Sequence, residues 1–452
     1  MTRPWTLEGL AAAADEPEDR ICRYAAAGLL HRHADGAFAA DSLQRLRLIH
    51  YARSHGFGDE QLLAASTAHG DLLAAFPQQP LLDSAAQDLR RIAAELDIPG
   101  PLVDELARIV DWDLQCGNDS DVAALGVIAE ALHNGFPEDA LLQLVRVFAD
   151  TTERLADAAI RTFHDYVHDH LRAQGLTGPA RHAAGERLAT PTRRLLEETP
   201  LYLYRRAYRR AAQEELLRHL RDEPTPQSGV PGEEHSTVLF VDLAGFTPLA
   251  ATMGDLAAAE VLGIFGTTVR DNATRHSGRI VKQIGDAFMM TFTRAASAVE
   301  FGLAINGFVD TAPQFPALHI GAHYGAVLYR DGDYLGSTVN LAARVASAGI
   351  PGQFLVTEQL HREAGELLDA EFILLPPRRL KGISDPIRLL EVRDRGRAHP
   401  DRVTDPVCGM RMRTPDVAYR VNWGNSTYAF CSDICRAAFE EAPERFIPPP
   451  PQ

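Results

Sequence analysis

Asp242 ends the apolar run Thr237 to Val241, and Asp286 follows the run Arg279 to Ile284 after one glycine. A short apolar run that closes on an acid is the pattern of a buried strand bringing a carboxylate to the rim of a cleft. If the two strands are neighbours the acids converge, and paired carboxylates are hard oxygen ligands suited to Mg²⁺ or Mn²⁺. A second group of side chains follows: Lys282, Asp333 in Gly332-Asp333-Tyr334-Leu335-Gly336, Asn340 and Arg344, and Lys381 in Leu380-Lys381-Gly382. Asn340 and Arg344 are four apart and so share one helix face. Cys408, Cys431 and Cys435 form a third group of soft thiolate donors, with Cys431 and Cys435 on one helical face.

These residues need particular elements to hold them. The run from Thr237 predicts a strand, and Gly245-Phe246-Thr247-Pro248 predicts a turn into a helix capped by Thr247, with Pro248 at the first helical position. Arg279 to Phe292 predicts a hairpin whose tight turn carries Asp286. Pro/Gly/Ser-rich or charged breaks place boundaries at 222–236 and 394–403, leaving a central domain over 237–393.

Within that domain residues 237–392 resemble the catalytic domain of class III adenylate/guanylate cyclases, on several separated motifs. The resemblance implies an α+β, ferredoxin-like fold that cyclises a nucleoside triphosphate, with Asp242 and Asp286 holding two Mg²⁺ or Mn²⁺ ions. By the same resemblance Lys282 and Asp333 read adenine, which favours ATP over GTP. Asn340 orients the ribose, Arg344 stabilises the transition state and Lys381 contacts the distal phosphates. The family draws its two acids from one subunit and the other five residues from its partner, so one copy of each motif implies a homodimer. His319 stands where many relatives carry an arginine that touches phosphate, and weaker pyrophosphate handling, a pH-dependent rate or a plain strand histidine are its open readings. A guanylate cyclase and a weakly active nucleotide-binding scaffold remain the alternatives.

Residues 404–452, through Asp405-Pro406-Val407-Cys408-Gly409 and Tyr428-Ala429-Phe430-Cys431-Ser432-Asp433-Ile434-Cys435, resemble a YHS domain, a small treble-clef-like unit related to metal-handling modules. Three thiolates would suit Zn²⁺ or Cu⁺, with no fourth protein ligand evident; reduced cysteines packed in a small core are the equal alternative. Residues 1–65 resemble the winged-helix head of MerR-type regulators, with Arg20 to Tyr24 at the recognition-helix position. Asp15, Glu16, Glu18 and Asp19 crowd that position, so a protein-contact module is expected there. Residues 66–221 predict an all-α regulatory region that ends in a basic connecting helix, and His164 and His168 are expected on one helix face. A net charge of −16 argues against nucleic-acid and anionic-membrane binding. No run approaches the ~18 apolar residues of a membrane span, and five cysteines without a disulfide pattern fit a reducing compartment, so a cytoplasmic protein is expected.

Overall fold

The computed structural model describes residues 4–69, 87–115, 117–176, 178–221, 232–312, 315–396, 402–414, 417, 419–424 and 426–447. Most of the 222–236 boundary segment, half of the 394–403 segment and the side chains of His164 and His168 lie outside the described residues. The chain divides into two compact units, Met1–His219 and Leu220–Gln452.

The first unit is helical: α1 (Leu7–Ala14), α2 (Glu18–Ala26), α3 (Ser42–Ser54), α4 (Asp59–His69), α5 (Leu89–Glu95), α6 (Gly100–Val110), α7 (Asp119–His133), α8 (Glu138–Phe163), α9 (Asp169–Ala173) and α10 (Gly178–Arg221). Leu10, Ile21, Tyr24, Phe38, Leu46 and Ile49 close the core of the head, and Leu89, Leu102, Leu106, Leu125 and Leu142 close a second core. Glu16 does not add bare negative charge beside α2. It is buried and bonded by Arg20 (3.0 Å), His50 (2.6 Å) and Arg53 (2.6 Å), because a sequestered carboxylate persists only when paired. His164–His168 forms a single π-helical turn between α8 and α9, so the i, i+4 spacing expected of an α-helix does not hold there.

The second unit is built on β1 (Glu233–Leu243), α11 (Phe246–Met253), α12 (Asp255–Arg275), β2 (Arg279–Ile284), β3 (Ala287–Phe292), α13 (Ala295–Thr311), β4 (Leu318–Arg330) and β5 (Asp333–Leu335). It continues with α14 (Ser337–Ser347), β6 (Phe354–Thr357), α15 (Glu358–Ala364), β7 (Ala370–Leu374) and β8 (Leu389–Asp394). These strands make one mixed sheet in the order β2-β3-β1-β4-β6-β8-β7, with β5 folded back on β4. Alternation along β1 sorts its side chains. Leu239, Val241 and Leu243 face the large core with Phe265 and Val269 of α12 and Phe301 and Ile305 of α13. Val238 and Phe240 face the opposite way, toward Val339 and Ala342 of α14. Asp242 has the parity of the α14 face.

The chain ends in a small module of β9 (Arg402–Thr404), β10 (Arg411–Arg413), β11 (Tyr419–Trp423), β12 (Ser426–Phe430) and α16 (Asp433–Glu441), arranged as two hairpin-like ladders and a helix. No helix among the described residues is long and apolar enough to cross a membrane.

Candidate active site

β1 is longer than the expected Thr237 to Val241 run and carries Asp242 as its penultimate residue. The turn that follows differs from the expected one. The N-cap of α11 is Gly245 in the left-handed conformation (φ 69°) with no side-chain cap, so Thr247 and Pro248 fall inside the first turn of the helix. The tight reversal after Leu243 demands a positive φ that glycine supplies at little cost.

β1 pairs antiparallel with β3, with Asp242 opposite Ala287, and β2 and β3 are joined by the Gly285-Asp286 turn. The two acids therefore meet as the alternating runs predict. Asp242 Oδ1 is buried with no hydrogen-bond partner. Burial, then the neighbouring Asp286 carboxylate, pushes the Asp242 pKa up to about 7. Two carboxylates side by side, one with a buried oxygen that no protein group bonds, are a donor set that fits hard divalent cations.

Lys282 on β2 and Asp333 at the start of β5 form an ion pair, and Asp333 also accepts from the Tyr334 amide at 2.8 Å. The structure thus brings together two residues that are 51 positions apart in sequence. On α14 the residues turned inward are Thr338, Ala342, Val345 and Ala346. Asn340 and Arg344 occupy the outer side and are exposed, so they face away from the sheet that carries Asp242. Lys381 lies exposed in the loop between β7 and β8.

His319 sits on β4 directly opposite Asp242. Burial holds its imidazole below the ordinary value, against a hydrogen bond with the Gly349 backbone, and Nδ1 is buried without a partner. An imidazole held toward its neutral form differs from an arginine in charge as well as in reach. A separate cleft lined by Arg275, His276, Glu300, Phe308 and Asp394 opens on the α12 and α13 side and holds none of these residues.

The third group also converges. Cys408 and Cys431 sulfurs are 3.5 Å apart and those of Cys431 and Cys435 3.8 Å apart. Hydrogen bonds from Cys408 and Cys431 lower the Cys435 pKa to about 2, while the Cys408 thiol is pushed well up by its bonds to the other two and by burial. A fourth candidate ligand was not evident in the sequence: Asp405 lies with the three sulfurs, all possible ligand atoms within 4.8 Å of one another. Its place in a run of ordinary turn residues, three before Cys408, was the available signal.

Residues 230–373 match the family model described as adenylate and guanylate cyclase catalytic domain. A pH-sensitive adenylate cyclase of Mycobacterium tuberculosis is 34% identical over 190 residues, 39% of this chain and 47% of the relative, so the chain spans about half of that protein. An adenylate cyclase of Streptomyces coelicolor is 29% identical over 56% of this chain and 64% of its own length. An uncharacterized protein of Mycobacterium tuberculosis is 28% identical over 82% of this chain and 96% of its own length. Among solved structures, the adenylyl cyclase CyaB from P. aeruginosa aligns with 36% of this chain and 96% of its own, at 23% identity and a TM-score of 0.33.

Proposed function

We propose that this chain, whose residues 230–373 belong to the adenylate and guanylate cyclase catalytic domain family, is an adenylate cyclase converting ATP to 3′,5′-cyclic AMP and pyrophosphate at sites shared by two copies. The observation that carries the reading is the convergence of Asp242 and Asp286, with one carboxylate oxygen buried and unpartnered. Bound there, two Mg²⁺ or Mn²⁺ ions would acidify the ribose 3′-hydroxyl and neutralise charge on the departing pyrophosphate.

The chain's own residues supply recognition and orientation. Lys282 donates to adenine N1 and Asp333 accepts from the N6 amine; in the free protein the two neutralise each other. GTP presents the reverse pattern at both atoms and leaves polar groups mispaired. Asn340 and Arg344 face away from their own acids, and this supports a homodimer in which they act on the partner's nucleotide. Asn340 holds the ribose, Arg344 takes the charge developing on the α-phosphate, and Lys381 takes the distal phosphates. The helical first unit is the regulatory element through α10, and a cytoplasmic location is the reading that an ATP substrate and the free cysteines among the described residues support.

The test is turnover of ATP and of GTP by the purified full chain with Mg²⁺ or Mn²⁺, with cyclic nucleotide quantified by mass spectrometry. Cyclic AMP formation exceeding cyclic GTP formation is expected. The reverse ratio makes the enzyme a guanylate cyclase, and binding without either product makes it a scaffold.

A further inference from the structure

The cysteine cluster stands against the turn that follows Asp242. Three facts define it as a site. First, the sulfur separations of 3.5 and 3.8 Å match the ~3.8 Å edge of a tetrahedron whose metal-to-sulfur bonds are about 2.3 Å. Second, Cys408 and Cys435 are buried, and Asp405 is fully buried with every hydrogen bond coming from the turns that carry the sulfurs. Its Oδ1 accepts from the Val407 amide at 2.8 Å and the Cys408 amide at 3.4 Å, and its Oδ2 from the Cys431 amide at 2.8 Å. The amides thus hold the carboxylate against the thiols, with a ligand oxygen within 4.8 Å of all three sulfurs. Third, Ser432 caps α16 and accepts from the Cys435 amide at 3.2 Å, which sets Cys435 in the first helical turn, where the dipole favours a thiolate.

The same loop is pinned to the catalytic domain through main chain. Gly409 has φ 72°, and a Cβ there would overlap the Ala244 carbonyl; a Cβ on Gly245 would come within 2.9 Å of the Cys408 carbonyl carbon and the Gly409 nitrogen. The Ala317 amide donates to Gly409 at 2.8 Å and the Ala244 amide to Ala317 at 2.8 Å, so a continuous chain of hydrogen bonds ends two residues from Asp242. Leu249 and Ala258 of α11 and α12 share one apolar core with Val407, Cys408, Phe430, Cys435 and Phe439.

We propose that Asp405, Cys408, Cys431 and Cys435 bind one thiophilic divalent cation, and that this ion fastens the C-terminal module onto the turn after Asp242, ordering the catalytic carboxylate. The carboxylate ligand makes the set harder than three sulfurs alone, which selects Zn²⁺ over Cu⁺. Binding displaces to solvent the protons still held by the Cys408 and Cys431 thiols and changes no oxidation state. The inference rests on the proposed function only for the role of Asp242, and metal content, cobalt spectra, chelator competition and amide exchange need no turnover, so failure of the cyclase assay and failure of this inference are separable.

The experiment uses the full chain purified under reducing conditions. Elemental analysis should find one zinc per chain. Replacement by Co²⁺ should give the visible bands of a tetrahedral site together with sulfur-to-cobalt charge transfer. Asp405→Asn should weaken Zn²⁺ retention against a competing chelator by at least about tenfold, and Cys431→Ser should weaken the charge-transfer band, which then draws on two sulfurs instead of three, and lower Zn²⁺ retention as well. Because these variants bear on folding, the wild-type chain is also treated with a zinc-selective chelator and then reloaded. Amide exchange over residues 243–250 should rise on removal and fall again on reloading. Zinc absent from the wild-type chain, zinc held as tightly by Cys431→Ser as by the wild type, or exchange at 243–250 indifferent to zinc would each overturn the proposal.

Discussion

Replacing Asp242 with asparagine should stabilise the protein while abolishing turnover. Burial and Asp286 raise the Asp242 pKa from 3.8 to about 7. Between those values the folded state holds a proton that the unfolded chain has lost, so stability falls as pH rises through this window and levels off above it. About three units at ~1.4 kcal/mol each is roughly 4 kcal/mol. Asp242 is only partly buried, and solvent screening brings the figure to about 2 kcal/mol. Asparagine keeps the shape without the charge, so in buffer without Mg²⁺ or Mn²⁺ the second unit of D242N should melt about 4–8 °C higher at about pH 8. Near pH 4.5, where Asp242 is protonated in the fold, the gain should shrink to about a quarter. Thermal unfolding followed by circular dichroism measures both. A D242N protein that melts at or below the wild type at the higher pH, or a gain independent of pH, would refute an electrostatic cost at this pair.

The same titration makes protons compete with the metal: Mn²⁺ affinity of the nucleotide-free protein, read by electron paramagnetic resonance, should fall about tenfold from pH 8 to pH 6 as Asp242 takes up its proton. Asp242→Ala and Asn340→Ala, each inactive alone, should regain about a quarter of wild-type activity when mixed, since half of random dimers are mixed and each holds one intact site; no recovery means the sites are not shared. Lys282→Met should cut the ATP-over-GTP preference in kcat/KM by roughly tenfold, because it removes the donor to adenine and leaves Asp333 without its ion-pair partner. Arg344→Ala should lower kcat far more than it raises KM, as expected of a group that acts on transition-state charge.

Much of the site was visible in the chain because short-range rules set it. The alternation around Asp242, the Gly285-Asp286 turn between two strand-like runs and the four-residue step from Asn340 to Arg344 are local patterns, and β1, the β2–β3 hairpin and α14 follow them. Where the reading went astray, a long-range constraint had overridden a local preference. Thr247 and Pro248 are a sound helix start taken alone, but the turn is fixed by the close approach of Cys408 and Gly409, and it moved the cap to Gly245. Glu16 reads as one more exposed acid until α3 brings His50 and Arg53 against it.

By itself the sequence determined which residues could do chemistry and which element each would ride on, because residue type and period are written into neighbouring positions. The tertiary structure alone decided that Asp405 joins three sulfurs lying up to 30 residues away, and that this cluster abuts the turn after Asp242. It also decided that Asn340 and Arg344 point away from their own acids. Those facts depend on which surfaces pack together, a choice made by the summed burial of Leu249, Phe430, Phe439 and their neighbours, and no stretch of the chain carries that sum alone.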